Sequence, residues 1–419
     1  MKAYEEVGTH DPRWDATARK ALELYSHLLV QYDSNQASEL ATRLQQIRAE
    51  NCTDPLVLYV NLRTTDSDTE DASAATAEAY RRVADGMMSS GYPAIRKFYA
   101  AVRAADAWHG AHGGQSDAMP MLGRFRRGAF AQLEIVLHDP ETPFMEAYLA
   151  ADALQQVISA NTKEKDDLLP PLIDYFQTRW LQEGLAWNFC GHAYVQLAWN
   201  RRGSGYANQV TEAGWSGFAT NLTEAGRCLE RSWQLDPKNS DTAATMMTVV
   251  LGQGQGRDRM ELWFHRAMEV DAACYEAART KVWYLQPKWY GSAEEAIAFG
   301  RECVASKVWK GRVPLVLWQA HMMLANDKAS GLKDAYWKQP GVWPDVRDSF
   351  ERYFELNPDG RGWRHDYALY AYKCGQYDKF LDQLPQMGWV NYPFFGGPQA
   401  FASMVAEAEQ QTGRKARLP

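Results

Sequence analysis

Signals for β-structure are nearly missing from these 419 residues. Strict apolar–polar alternation is rare, which excludes an all-β domain and argues against any large sheet. Long apolar runs are missing as well: none approaches the ~18 residues that a membrane-crossing helix needs. The opening MKAYEEVGTHDPRWD lacks the apolar core of a secretory leader, although an exported protein with its leader removed reads the same way. Cysteines are few, six in all, at 52, 190, 228, 274, 303 and 374. No two form a Cys-x-x-Cys clip, and a chain of this length needs no disulfide staples. Each sits in an apolar helical context and reads as a small buried hydrophobe, so a reducing, cytoplasmic location is expected. Positive charge is in deficit too. Lysine and arginine total 45 against 52 aspartates and glutamates, a net charge of −7, which argues against a general nucleic-acid binder. The densest basic run, GRFRRG (123–128), reads as a solvated helix edge.

Catalytic signatures are the last absence. The chain has no His-Glu-x-x-His, no Walker A loop and no Gly-x-Ser-x-Gly elbow, and neither cofactor nor metal is expected. His109 and His112 in HGAH could share a metal on a helix, but glycines flank them and no adjacent cysteine or carboxylate completes a site. They read as exposed loop histidines. GQGQGR (252–257) follows a helix rather than a strand, so it reads as a turn and not as a phosphate loop. His365-Asp366 reads as structural.

What is there is helix. The hydrophobic fraction of 46% is enough for a large core, and apolar residues recur at three and four. The pattern predicts helices near 14–31, 35–50, 55–64, 71–90, 92–107, 119–138, 143–160, 167–181 and 183–201. Others follow near 217–235, 241–253, 257–270, 273–285, 292–306, 312–325, 342–356, 363–374, 376–386 and 398–412. Asp54-Pro55, Thr142-Pro143 and Pro344-Asp345 carry helix-start chemistry, where proline loses nothing because that N–H has no helical partner.

The phrase ERSWQLDPKNSD (230–241) returns in altered form as ERYFELNPDG (351–360). A frame runs around both. Trp187, Cys190, Gly191 and Tyr194 alternate large and small residues on one helix, and Ala225, Leu229, Ser232 and Pro237 do so on the next. Ala244, Met247, Thr248 and Leu251 pair with Met260, Phe264 and Ala267. Ala278, Val282 and Leu285 pair with Ala296 and Cys303. Phe350, Tyr353 and Pro358 repeat the close, and YALYAYKCGQYDKFLDQL (367–384) ends the series. At these residues the chain resembles the tetratricopeptide-repeat superfamily, whose unit is a helix hairpin of about 34 residues. The resemblance covers about 185–390, with insertions and with several small positions unfilled. YLQPKWYGS (284–292) also resembles wording in bacterial proteins of this type, and it brings no activity with it. The fold expected is all-α: an α-solenoid of stacked antiparallel helix pairs, a TPR-like superhelix with insertions. Its expected parts are an N-terminal helical region (1–110), a helical connection (111–182), the repeats (183–390), and a capping helix with tail (391–419).

The insertions RRGSGYANQVTEAGWSGF (201–218), QPKWYGS (286–292) and NDKASGLKDAYWKQPGVWPD (326–345) fall at the turns inside helix pairs. In a solenoid such turns share one edge. Tyr206, Trp215, Trp289, Tyr290, Tyr336, Trp337 and Trp343 are therefore candidates for an aromatic recognition edge, or for rings that plug the helix ends. The resemblance also implies a concave groove lined by the first helix of each pair. Its candidates are Asn188, His192 and Val195, then Arg279, Trp283 and Gln286, then His365, Leu369 and Tyr372. Three functions stay open: a non-catalytic scaffold for a protein or peptide partner, a glycan- or small-ligand-binding module using the tryptophan-rich loops, and an enzyme on a helical scaffold.

Overall fold

A computed structural model describes residues 1–65, 74–113, 115–158, 162–205 and 207–419, and among the described residues there are 21 α-helices and no strand. Contacts divide the chain into two compact units, Met1–Phe218 and Ala219–Pro419.

The first unit contains α1 (Lys2–Val7), α2 (Asp15–Leu28), α3 (Ser34–Ala49), α4 (Pro55–Thr65), α5 (Ala74–Ser89), α6 (Ala94–His112), α7 (Met119–His138), α8 (Phe144–Ile158), α9 (Thr162–Arg179) and α10 (Gly184–Arg202). Consecutive helices pack on one another: α2 with α3, α5 with α6, α6 with α7, α9 with α10. Tyr4, Trp14, Leu40, Leu44, Val57, Tyr80, Met87 and Phe125 belong to one buried cluster. Asp54 starts α4 as expected, and it does more than cap. It is fully buried and accepts from the N–H groups of Leu56, Val57 and Thr9 and from the Tyr92 hydroxyl. Such a carboxylate is tolerable inside only because its lone pairs are all engaged. α6 continues through His112 and packs on α7 within the first unit, as α9 does on α10.

α11 (Glu212–Leu235) follows, and the second unit continues with α12 (Ser240–Gln253), α13 (Arg257–Val270), α14 (Tyr275–Tyr284), α15 (Ala293–Ala305), α16 (Val316–Asn326), α17 (Lys333–Trp337), α18 (Val342–Leu356), α19 (Arg364–Lys373), α20 (Tyr377–Gln383) and α21 (Pro398–Thr412). α12 pairs with α13, α14 with α15, α16 with α18 and α19 with α20, while α12, α14 and α16 also pack in succession. This is the stacked-pair plan of an α-solenoid. α12 and α16 are buried nearly all round, as helices flanked on both sides must be. The repeated phrase has one structural meaning: α11 and α18 end at Leu235 and Leu356, and the N–H groups of Asp236 and Asn357 donate back to Ser232 and Tyr353 before proline stops the helix. GQGQGR turns α12 into α13, with Gly254 and Gly256 at φ 62° and 92°, a region that costs glycine nothing.

Candidate functional site

The third insertion is not an open loop. After α16 it makes a short turn and then the single-turn helix α17, which α18 follows after Gly341. Two rings make this arrangement stick. Trp337 packs edge-on against Tyr370 at 4.6 Å. Tyr336 points its hydroxyl at His321 of α16, 2.9 Å from Nδ1. The other ring nitrogen of His321, Nε2, lies 3.0 Å from Oδ2 of Asp345 on α18. Arg301 of α15 closes the chain with two 2.9 Å bonds to the same carboxylate.

Four elements thus meet in one polar line, Tyr336–His321–Asp345–Arg301. His321 is 4% exposed in an apolar helix, so it needs both partners. Burial pushes the Asp345 carboxyl up, but the hydrogen bonds from His321 and Arg301 outweigh it and hold the group below its usual range. An ionised Asp345 assigns the Nε2 proton to His321 and leaves Nδ1 to accept from Tyr336. Burial, with Asp345 nearby, pushes the Tyr336 hydroxyl up to about 12. It therefore keeps its proton at neutral pH. The order hydroxyl–imidazole–carboxylate resembles an acid–base relay, with Tyr336 as the hydrogen-bond donor at its end.

The two ends of this line, Tyr336 and Arg301, border a cleft of about 410 Å³, within the size range of ligand pockets. Ala293, Ile297, Ala298 and Leu324 supply its apolar part; Glu294, Arg301, Lys328, Tyr336 and Gln339 supply the polar part. Hydrogen bonds from its own backbone N–H and from Ser292 hold the Glu294 carboxyl below its usual range, so the cleft carries fixed charges of both signs. Among the described residues no three of His, Cys, Asp and Glu gather to hold a metal ion. The six cysteines are buried, and none is in a disulfide. Burial raises the thiols of Cys52, Cys274, Cys303 and Cys374, which keeps them from acting as thiolates.

The groove candidates are scattered in their exposure. Asn188, Gln286 and His365 are buried, and His365 packs under the C-terminal segment with Nε2 3.0 Å from the Trp389 carbonyl. His192, Val195, Arg279, Trp283, Leu369 and Tyr372 are half-buried. Arg279 is bonded to Glu276 at 2.8 Å, and the Tyr372 hydroxyl donates to Glu407. Of the edge candidates, Tyr206 lies outside the described residues. Tyr336 and Trp337 are buried, and Trp289 and Trp343 are half-buried. Trp215 is 39% and Tyr290 46% exposed. Both of these have work within the fold. Arg202 stacks over Trp215 at 5.2 Å. Tyr290 stacks on Tyr284 at 4.9 Å and donates its hydroxyl to the Leu251 carbonyl at 3.1 Å, closing the end of α12. Trp283, Trp289 and Tyr290 come together at the end of α14. Sequence reading missed His321, Ile297, Arg301, Leu324 and Lys328. One signal was available: a histidine inside the apolar run VLWQAHMML has to find partners. Asp345, taken as helix-start chemistry, sits in the first turn of α18 and spends its carboxylate on His321 and Arg301.

No protein-family profile matches the sequence, and no curated protein matches it. Among solved structures the chain is similar to the crystal structure of the yeast Tom70, at 12% identity over 96% of this chain and 97% of that one, with a TM-score of 0.27. No helix among the described residues is long and apolar enough to cross a membrane.

Proposed function

We propose that this protein is a non-catalytic scaffold of the tetratricopeptide type, and that the α15–α17 cleft receives an apolar side chain of an extended peptide from a protein partner. The observation that carries this reading is the cleft itself. It pairs the apolar surface of Ile297 and Leu324 with Glu294 and Lys328, and Tyr336 and Arg301 at its border are pinned through His321 and Asp345. A pre-formed pocket with an apolar centre and a charged rim suits an anchor residue flanked by charges. The raised, buried thiols of Cys52, Cys274, Cys303 and Cys374 weigh against a cysteine-based enzyme. The glycan reading draws less support, because the faces of Trp215 and Tyr290 already carry Arg202 and Tyr284. The buried cysteines, none of them in a disulfide, are the support for a reducing compartment.

Selection of a random peptide library on the full-length protein tests it. Enriched peptides are expected to share one large apolar residue flanked by charge, and to lose at least about tenfold in affinity, 1.4 kcal/mol, against Ile297→Asp. Enriched peptides that bind Ile297→Asp as well as the parent, or no enrichment at all, defeat the proposal.

A further inference from the structure

Two sequence motifs have no part in that cleft: His109 of HGAH and the basic run GRFRRG. The structure brings them together in the first unit. His109 lies on the last turn of α6 and not in a loop. The basic run lies in α7, and only part of it is a solvated edge. Arg124 and Arg127 are exposed, but Arg126 turns inward and is 2% exposed.

Arg126 is under-used for a buried cation. Its Nη1 donates to Glu164 at 2.9 Å, and its Nε is covered with no acceptor. A guanidinium has five N–H donors, and leaving them unpaired away from water is costly. The same side chain lines a cavity of about 180 Å³ together with Arg103, Asp106, His109 and Gln156. The remaining lining is aliphatic, from α6 and α8.

We propose that this cavity binds a small monocarboxylate with a short hydrocarbon stem. Arg126 has donors to spare, and an anion's oxygens would engage them. Spare N–H donors and not net charge draw the ligand in: Glu164 already offsets Arg126, and Asp106 lies 3.5 Å from Arg103, so every negative charge beyond the one carboxylate would crowd two carboxylates with no cation to spare. The aliphatic lining receives the stem. This site shares no residue with the peptide cleft and stands or falls independently of it.

Binding is read on the full-length protein by calorimetry and by the shift in melting temperature, with butyrate, butyramide and inorganic phosphate as probes. Saturable butyrate binding is expected, with butyramide and phosphate at least about tenfold weaker. Two variants separate binding from folding. Ala153→Phe fills the cavity and leaves Arg126 in place. The double variant Arg126→Met, Glu164→Met removes both charges together, so no buried ion is stranded. Both are expected to melt cooperatively and to lose butyrate binding by at least tenfold. Absence of saturable binding to the parent, undiminished binding to Ala153→Phe, or tighter binding of phosphate or butyramide than of butyrate each overturns the proposal.

Discussion

Asp345 concentrates the residue-scale argument. Its carboxyl is held below its usual range when folded, against the upward push of burial, by His321 and Arg301. The ionised form therefore stabilises the fold. That contribution is complete above the ordinary carboxylate value of about 4 and drains away as pH falls through the lower folded value. Asp345→Asn removes the titrating group. The variant is expected to be less stable than the parent at pH 7, with the gap shrinking only as the pH falls below about 4, as followed by urea midpoints across the pH range. A constant gap at every pH counts against the assignment. These residues were half legible in the sequence. Asp345 was visible as helix-start chemistry because it follows proline at the head of an apolar-periodic run. That it faces His321 and Arg301 depends on how α15, α16 and α18 meet, and no local spacing encodes that. Arg126 is the same case. Three arginines in one short run look alike on paper, and only the packing of α7 decides which one turns inward.

At the scale of elements, close approach between helices is carried by small residues. Gly300 lies on α15 in the same repeat face as Ala296 and Cys303. A methyl group there would sit 2.7 Å from the Leu317 Cα, which is backbone and cannot rotate away. Gly300→Ala would favour a helix by propensity alone, yet overpacking is expected to win and to destabilise by about 1–3 kcal/mol. A thermal melt that rises instead would show that α15 and α16 are less tightly joined than the coordinates place them. The long helices were legible because apolar periodicity accumulates over several turns. α1 and α17 were not, since six and five residues hold too little of a 3.6-residue period to register. α9 begins at Thr162 and carries Pro170 and Pro171 inside it, whereas the apolar pattern placed a start near 167. The aromatic insertion carrying Tyr336 and Trp337 left two readings open, a recognition edge or rings that plug the helix ends. The rings bury themselves because His321 and Tyr370 offer them a hydroxyl acceptor and an edge.

At the scale of the whole molecule, an array in which each helix pair leans on the next needs a closing element. The family resemblance made stacked pairs legible between about 185 and 390, but not where contacts would part the chain. The division after Phe218 falls inside α11, which runs through Gly217 without a break, so no interruption of the helix marks it. The closing element of the second unit was legible, as a helix at 398–412 beyond the last repeat. α21 packs on α20, and Phe401 and Ala408 join Phe380, Leu381, Leu384 and Phe395 in one buried cluster. Glu407 accepts from both Tyr372 and Tyr377, which ties α21 to the last repeat by polar as well as apolar contact. Deleting 398–419 would uncover Phe380 and Leu381, side chains whose burial is worth about 1.5–3 kcal/mol each. The truncated protein is expected to expose apolar surface, to bind a hydrophobic dye and to self-associate, with Phe401→Ala giving a milder version of the same change. In hydrogen exchange, amides of α19 and α20 should lose protection first, while those of α12 and α13 keep theirs, because interface losses in a stacked array spread from the damaged end. Uniform loss of protection throughout the second unit would show instead that its repeats unfold as a single cooperative body.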